Sequence, residues 1–358
     1  MPIGRRVNQR HLARRRVPSG RLLLLIGVIA LLHLSGVLVI IAFHDRRPGL
    51  VGLAVLAYTL GLRHAFDADH IAAIDNTTRK LRQDGQQPLA VGFFFAAGHS
   101  SVVLMLTPVA ATVTHAVPDL SGTTGLLGSG AAGLFLWIVG ILNLFVLLDT
   151  LRVATRIRAG EQPEALADDL LLPGGMLMRI GLGRLLAFVS RSWHMLPVGL
   201  LFGLGFETAT EITLLALGAS AAGSGLPLIA TLALPLLFAA GMTLMDTLDG
   251  LLMARAYDWA LRRPVRKVLY NITITALSVV VALTVGTVQL TNVAIGVFDL
   301  HGGAWESVAG IDLQALGYGI AALFAGTWLT AILAWRFLHL EDRWTITHLA
   351  PAEADNRS

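Results

Sequence analysis

Eight long apolar stretches, separated by shorter polar ones, dominate the chain. They cover residues 22–43, 50–74, 88–113, 125–148, 195–222, 226–253, 268–290 and 313–337. A helix needs about 20 apolar residues to cross a hydrocarbon core. The pattern therefore predicts an all-α, polytopic membrane bundle of about eight transmembrane helices. It places one transmembrane domain at 22–337, between a basic tail at 1–21 and a second tail at 338–358. A longer polar connection falls near 149–193. Four of the stretches, the second, third, fifth and sixth, are interrupted by ionisable residues.

Composition strengthens the membrane reading. The chain has 358 residues, of which 55% are hydrophobic and 14% charged. Soluble domains average about 25% charged. Mean hydropathy is +0.69. Cysteine is absent, which excludes disulfides, thiolate metal sites and a cysteine nucleophile. Any metal ligand must be imidazole, carboxylate, amide, hydroxyl or thioether.

Basic residues predict the orientation. Of 27 Lys and Arg, 24 fall in the first tail, the connections after segments two, four and six, and the last tail. Arg79, Lys80 and Arg82 are read as lying in the connection after segment two. The positive-inside rule then puts both termini in the cytoplasm of a multi-pass protein in the cell membrane. The arginines of the first tail are topogenic on this reading, with no nucleic-acid partner.

The ionisable residues inside the membrane carry the chemistry. Segment two holds Arg63, His64, Asp67, Asp69 and His70 within eight residues. Each charge at the bilayer centre costs about 2.5–3.5 kcal/mol on insertion scales, so such a cluster marks a functional site. On a straight helix, His64, Asp67 and His70 share one arc, with Asp69 pointing away. Two imidazoles flanking a carboxylate suit nickel, cobalt, zinc or copper ions. Asp69 is left to orient a ligand histidine or to serve another helix. Segment three adds His99 and Ser100, segment five Glu207 and Glu211, and segment six Asp246 and Asp249. His64, Asp67, Asp69, His70 and His99 form the candidate metal set. Arg63, Ser100, Glu207, Glu211, Asp246 and Asp249 form an accessory polar pathway. His33, Met242, Met245 and the glycine pair Gly199 and Gly203 read as packing or local hydrogen-bonding residues.

The segments also repeat. Phe95-Ala-Ala-Gly98 in segment three matches Phe238-Ala-Ala-Gly241 in segment six. Each follows an acid-bearing segment, with Phe66–Ile71 aligned on Glu207–Ile212. Segments two and five would cross in opposite directions, which makes the repeat inverted, a recurrent plan of secondary transporters. No phosphate-binding loop is present, so no ATPase partner is indicated.

Four ordered motifs resemble the nickel/cobalt transporter (NiCoT) family. They are Arg63-His-Ala-Phe-Asp-Ala-Asp-His-Ile71, Gly98-His-Ser100, Leu204-Gly-Phe-Glu-Thr-Ala-Thr-Glu211 and Gly241-Met-Thr-Leu-Met-Asp-Thr-Leu-Asp-Gly250. The core of the signature is His64, Asp69 and His70. Glu207 departs from the aspartate usual in that family. Position 66, Phe here, varies there between Val and Phe. The resemblance implies a non-enzymatic secondary permease that imports Ni²⁺ or Co²⁺ as substrate, with no resident cofactor. The connection from Arg152 to Arg191 holds no histidine. Related exporters carry a histidine-rich loop, so import is favoured. Alternatives are a zinc or manganese permease, a metal exporter, or an enzyme. Asp246-x-x-Asp-Gly250, followed by Ala254-Arg255, resembles part of the metal motif of CDP-alcohol phosphotransferases, although the spacer differs and the downstream aspartate pair is missing.

Overall fold

The computed structural model describes residues 19–46, 49–112, 117–159, 189–204, 213–214, 217–218, 227–260 and 264–337. Among these residues helix is the only regular secondary structure. The long helices are α1 (Ser19–Phe43), α2 (Gly49–His64), α3 (Ala68–Gln83), α4 (Val91–Thr112) and α5 (Val117–Arg158). They continue with α6 (Met195–Gly203), α7 (Leu228–Ala260), α8 (Pro264–Phe298), a short α9 (Ala304–Ala309) and α10 (Leu313–Phe337). Seven of the eight expected segments fall on described helices. The segment at 195–222 is described only through α6 and the residue pairs 213–214 and 217–218.

Among the described residues, four helical stretches are long and apolar enough to cross a membrane: Gly20–Phe43, Leu126–Arg156, Leu228–Asp258 and Ile272–Phe298. The chain is a multi-pass membrane protein, and its helices face outward with apolar residues. Leu23, Leu24, Leu31, Leu34, Leu38 and Ile41 of α1 are exposed, which suits a lipid-facing helix.

Segment two is not one straight helix. It breaks after His64, and α2 and α3 meet at a bend of 52°. Across the break the bonding tightens: Phe66 N–H donates to Arg63 O and Asp67 N–H to His64 O. Asp67 is extended (φ −64°, ψ 143°). Neither proline nor glycine lies at the break; Asp67 is the N-cap of α3 there, and a helix distant in sequence packs on it. Gly317 of α10 sits so close that a Cβ there would collide with the carbonyl oxygen of Phe66. The Tyr318 ring packs on that of Phe66 at 5.4 Å.

α3 also runs further than hydropathy indicates, to Gln83. Arg79, assigned above to a connection, is instead buried inside the bundle. Its guanidinium donates to Thr275 Oγ1 of α8 at 2.9 Å and to Asn76 Oδ1 at 3.3 Å. Asn143 of α5 donates to the same Asn76 oxygen. One turn before Arg79, Asp75 accepts from Ser278 of α8 at 2.7 Å and from Tyr257 of α7. These partners let a polar helix stay buried, because buried polar groups must be hydrogen-bonded.

The repeated motif has a packing counterpart. A Cβ on Gly61 of α2 would strike the Phe238 carbonyl, and one on Gly241 would meet the Tyr58 carbonyl. Between α4 and α6 the same relation recurs, Gly199 against the Phe95 carbonyl and Gly98 against Leu196. The second helix of each unit thus packs on the first helix of the other, backbone to backbone, as small residues permit in membranes. This pairing equates Gly61 with Gly199, a different register from the one that aligns Phe66 with Glu207.

Two apolar clusters fill the interior. One gathers around α3, with Ile71, Ile74, Phe95, Leu136, Phe202 and Val285. The other lies between α2 and α7, with Leu50, Leu60, Leu234 and Phe238. Phe95 and Phe238 belong to different clusters, and the histidines of the next section lie against both.

Candidate metal centre

Three imidazoles converge where α2 ends, α3 begins and α4 passes. His64, His70 and His99 are buried, and one ligand atom from each can be chosen so that all lie within 4.8 Å of one another. Their ring centroids are 4.7–4.9 Å apart. Phe238 lies 5.5 Å from the His64 ring and Phe95 4.8 Å from that of His70. Each phenylalanine of the repeated motif therefore packs on a different histidine of the cluster.

Carboxylates hold two of the three rings. Asp67 Oδ2 lies 2.9 Å from His64 Nδ1. Asp246 Oδ2, from α7, lies 3.2 Å from His70 Nδ1. A carboxylate on one ring nitrogen sets the tautomer and leaves the other nitrogen as a lone-pair donor. For His70 that other nitrogen, Nε2, is buried and has no hydrogen-bond partner, and the same holds for Asp67 Oδ1. The His64 and His99 Nε2 atoms are 3.0 Å apart. Metal–imidazole bonds of about 2.0–2.1 Å at a right angle put two nitrogens roughly 2.9 Å apart. The spacing therefore suits two adjacent ligands of one ion. Buried orphan donors of nitrogen and oxygen are what a borderline-soft dication would satisfy.

The bend makes this possible. It swings α3 so that His70 meets His64 across the break, and α4 and α7 bring His99 and Asp246. Asp246, expected only as an accessory, holds a central ring.

The remaining expected residues separate. Asp69 faces away from the imidazoles: Oδ1 accepts the His70 backbone N–H and Oδ2 accepts Nε2 of Gln289 in α8, each at 3.0 Å. It thus joins α3 to α8, and it meets His70 at the backbone rather than at the ring. Ser100 donates back to Ala96 O within α4 at 2.6 Å. Arg63 is exposed and outside the cluster. Asp249 has a buried Oδ2 without a hydrogen-bond partner. Glu207 and Glu211 lie outside the described residues. His33, half-buried, bonds Ile29 O and the Tyr58 hydroxyl. Met242 packs in a core cluster, and Gly199 and Gly203 are close-packing positions. Sequence reasoning missed Gln289 and the Asp75–Arg79 network. The run Asp75-Asn-Thr-Thr-Arg79, directly after the histidine motif, was the available signal.

Asp246→Asn tests the support role. The amide keeps the shape and replaces one carboxylate acceptor oxygen behind His70 with an N–H donor. Losing such a partner typically weakens metal sites by about 10–100-fold, so metal-dependent thermal stabilisation of the variant should need correspondingly more nickel.

A polytopic bundle that buries an imidazole–carboxylate cluster among its helices is a membrane protein with the donor set of a divalent-metal site. Residues 50–334 match the NicO family, described as high-affinity nickel-transport protein. The chain is 48% identical over 340 residues to the nickel transporter NicT of Mycobacterium tuberculosis, covering 91% of each chain. It is 46% identical to the nickel transporter NixA of Staphylococcus aureus, covering 89% of this chain and 96% of that one. It is 42% identical to the cobalt transport protein NhlF of Rhodococcus rhodochrous, covering 92% and 95%. No solved structure matches. The chain belongs to the NicO family of nickel-transport proteins. Its family is one of transporters, so the partial phosphotransferase motif at Asp246–Gly250 carries no enzymatic reading. Asp246 of that motif bonds His70.

Proposed function

We propose that this protein imports Ni²⁺ or Co²⁺ across the cytoplasmic membrane as a secondary permease, through the centre formed by His64, His70 and His99 with Asp67. The observation that carries the reading is the convergence of three buried imidazoles with orphan donor atoms on His70 and Asp67. Relatives named as nickel and cobalt transporters support the choice of ions.

Asp67 and Asp246 orient the rings of His64 and His70, and Asp67 offers its second oxygen to the ion. Asp69 acts outside the ligand set. The donors replace the water shell that a dication must shed to enter the hydrocarbon region. An inside-negative potential favours inward movement of a dication by about 4.6 kcal/mol per 100 mV, from roughly 2.3 per charge. Potential alone is therefore a sufficient driving force, with both termini in the cytoplasm and no ATPase partner. The break at 65–67 is where α2 and α3 can change their angle, and it lies at the centre itself.

Proteoliposomes containing the purified protein test this directly. Radiolabelled nickel should accumulate under an inside-negative potential, cobalt should compete, and zinc and manganese should compete less. Equal competition by zinc or manganese would move the assignment to another metal permease. No accumulation of either labelled ion would refute the proposal.

A further inference from the structure

Asp69 stands between two residues of the centre, yet both its oxygens are engaged elsewhere. One accepts the His70 backbone N–H and so ties down the first turn of α3. The other accepts the side-chain amide of Gln289, 220 residues away on α8, at 3.0 Å. Gln289 is 4% exposed, and its own Oε1 is buried with no partner. A buried amide tolerates that orphan because its N–H donates to a charge, the stronger kind of hydrogen bond.

This contact is the last rung of a polar ladder between α3 and α8. Arg79 meets Thr275, Asp75 meets Ser278 and Asp69 meets Gln289. Numbers fall along α3 as they rise along α8, so the helices run antiparallel and the Gln289 rung lies nearest the imidazoles. The bend after His64 matters here. Continuous helix would fix the direction of His70 relative to His64 through the backbone. A broken helix does not, so lateral contacts must set how α3 is rotated.

We propose that Gln289 is a positioning residue for the metal centre: by holding Asp69 it fixes the first turn of α3, and with it the aim of His70 at His64 and His99. This rests on reading that centre as the site of the transported ion. A binding constellation works only when held within about 0.5 Å and 10–20°, and one lateral hydrogen bond at the same turn as the ligand has that leverage. Nickel and cobalt differ in preferred geometry and in affinity for a given donor set. Loosening the turn therefore alters the two ions unequally.

The experiment compares labelled-nickel and labelled-cobalt uptake in proteoliposomes carrying the wild type, Gln289→Met, Gln289→Asn and His70→Ala. Methionine matches the length of glutamine without an amide, whereas asparagine keeps the amide one methylene short. Gln289→Met should raise KM for nickel about tenfold, change the nickel-to-cobalt KM ratio and leave Vmax per reconstituted protein within about twofold. Gln289→Asn should recover part of the KM. A purely structural Gln289 would instead lower Vmax and the metal-free melting temperature, with KM and the ion ratio unmoved, and that result overturns the proposal. Wild-type KM in Gln289→Met, with uptake abolished in His70→Ala, overturns it while leaving the centre intact. Wild-type uptake in His70→Ala removes the centre, and the proposal with it.

Discussion

Replacing His70 by alanine should reduce nickel uptake by more than 100-fold in proteoliposomes of matched protein content. Loss of a supporting carboxylate costs a metal site about 10–100-fold, and loss of an imidazole that carries an orphan Nε2 should exceed that. The substitution also leaves Asp246 buried without its ring partner. Adding Asp246→Asn to His70→Ala should therefore cost little more, because Asp246 acts through the ring. Residues that share one interaction are not additive. Full additivity of the two losses would show that Asp246 acts on the ion by another route. Uptake within a few-fold of wild type in His70→Ala would dismiss the three-histidine centre.

Replacing Arg79 by leucine should be the most damaging change to stability. The side chain is 1% exposed and joins α3 to α8 through Thr275. It also balances the buried Asp75 carboxylate, which bonds Ser278 and Tyr257. Arg79 and Asp75 bond different partners rather than each other, but leaving one buried charge uncompensated still costs about 3–5 kcal/mol. The metal-free melting temperature in detergent should fall by roughly 10 °C or more, at about 2–4 °C per kcal/mol. Arg79→Leu combined with Asp75→Asn should recover part of the loss, since the orphan charge goes too. An unchanged melting temperature in Arg79→Leu would mean that the guanidinium is solvated rather than held by Thr275 and Asn76.

Both predictions concern residues that the sequence handled very differently. His70 stood out at once, because imidazole and carboxylate in an apolar run are expensive and hence purposeful. Arg79 did not. Arginine after an apolar stretch reads as a topogenic charge, and hydropathy averages over faces. Asp75, Asn76 and Arg79 find partners on α5, α7 and α8, so a polar helix stays inside the bundle where a window average expects an exit.

The arc that placed His64, Asp67 and His70 together assumed an unbroken helix. They do come together with His99, but by another route. The chain bends by 52° after His64, and Asp67 holds His64 from within the bend. Asp67, a favoured N-cap residue, starts α3 at the break, and Gly317, some 250 residues later, lets α10 press against the Phe66 carbonyl there.

The sequence by itself determined the solvent, the donor chemistry and the repeat. Apolar length specifies a bilayer, the absence of cysteine leaves imidazole and carboxylate, and Phe-Ala-Ala-Gly occurs twice. These are properties of residue type and spacing, which a linear chain displays directly. Tertiary structure alone decided that Asp246 supports His70 across 176 residues, that Asp69 turns to Gln289, and that α10 packs on the break in segment two. Such contacts join helices distant in sequence. Their geometry follows from backbone approach at glycines and from pairing buried polar groups, and neither leaves a local period to read.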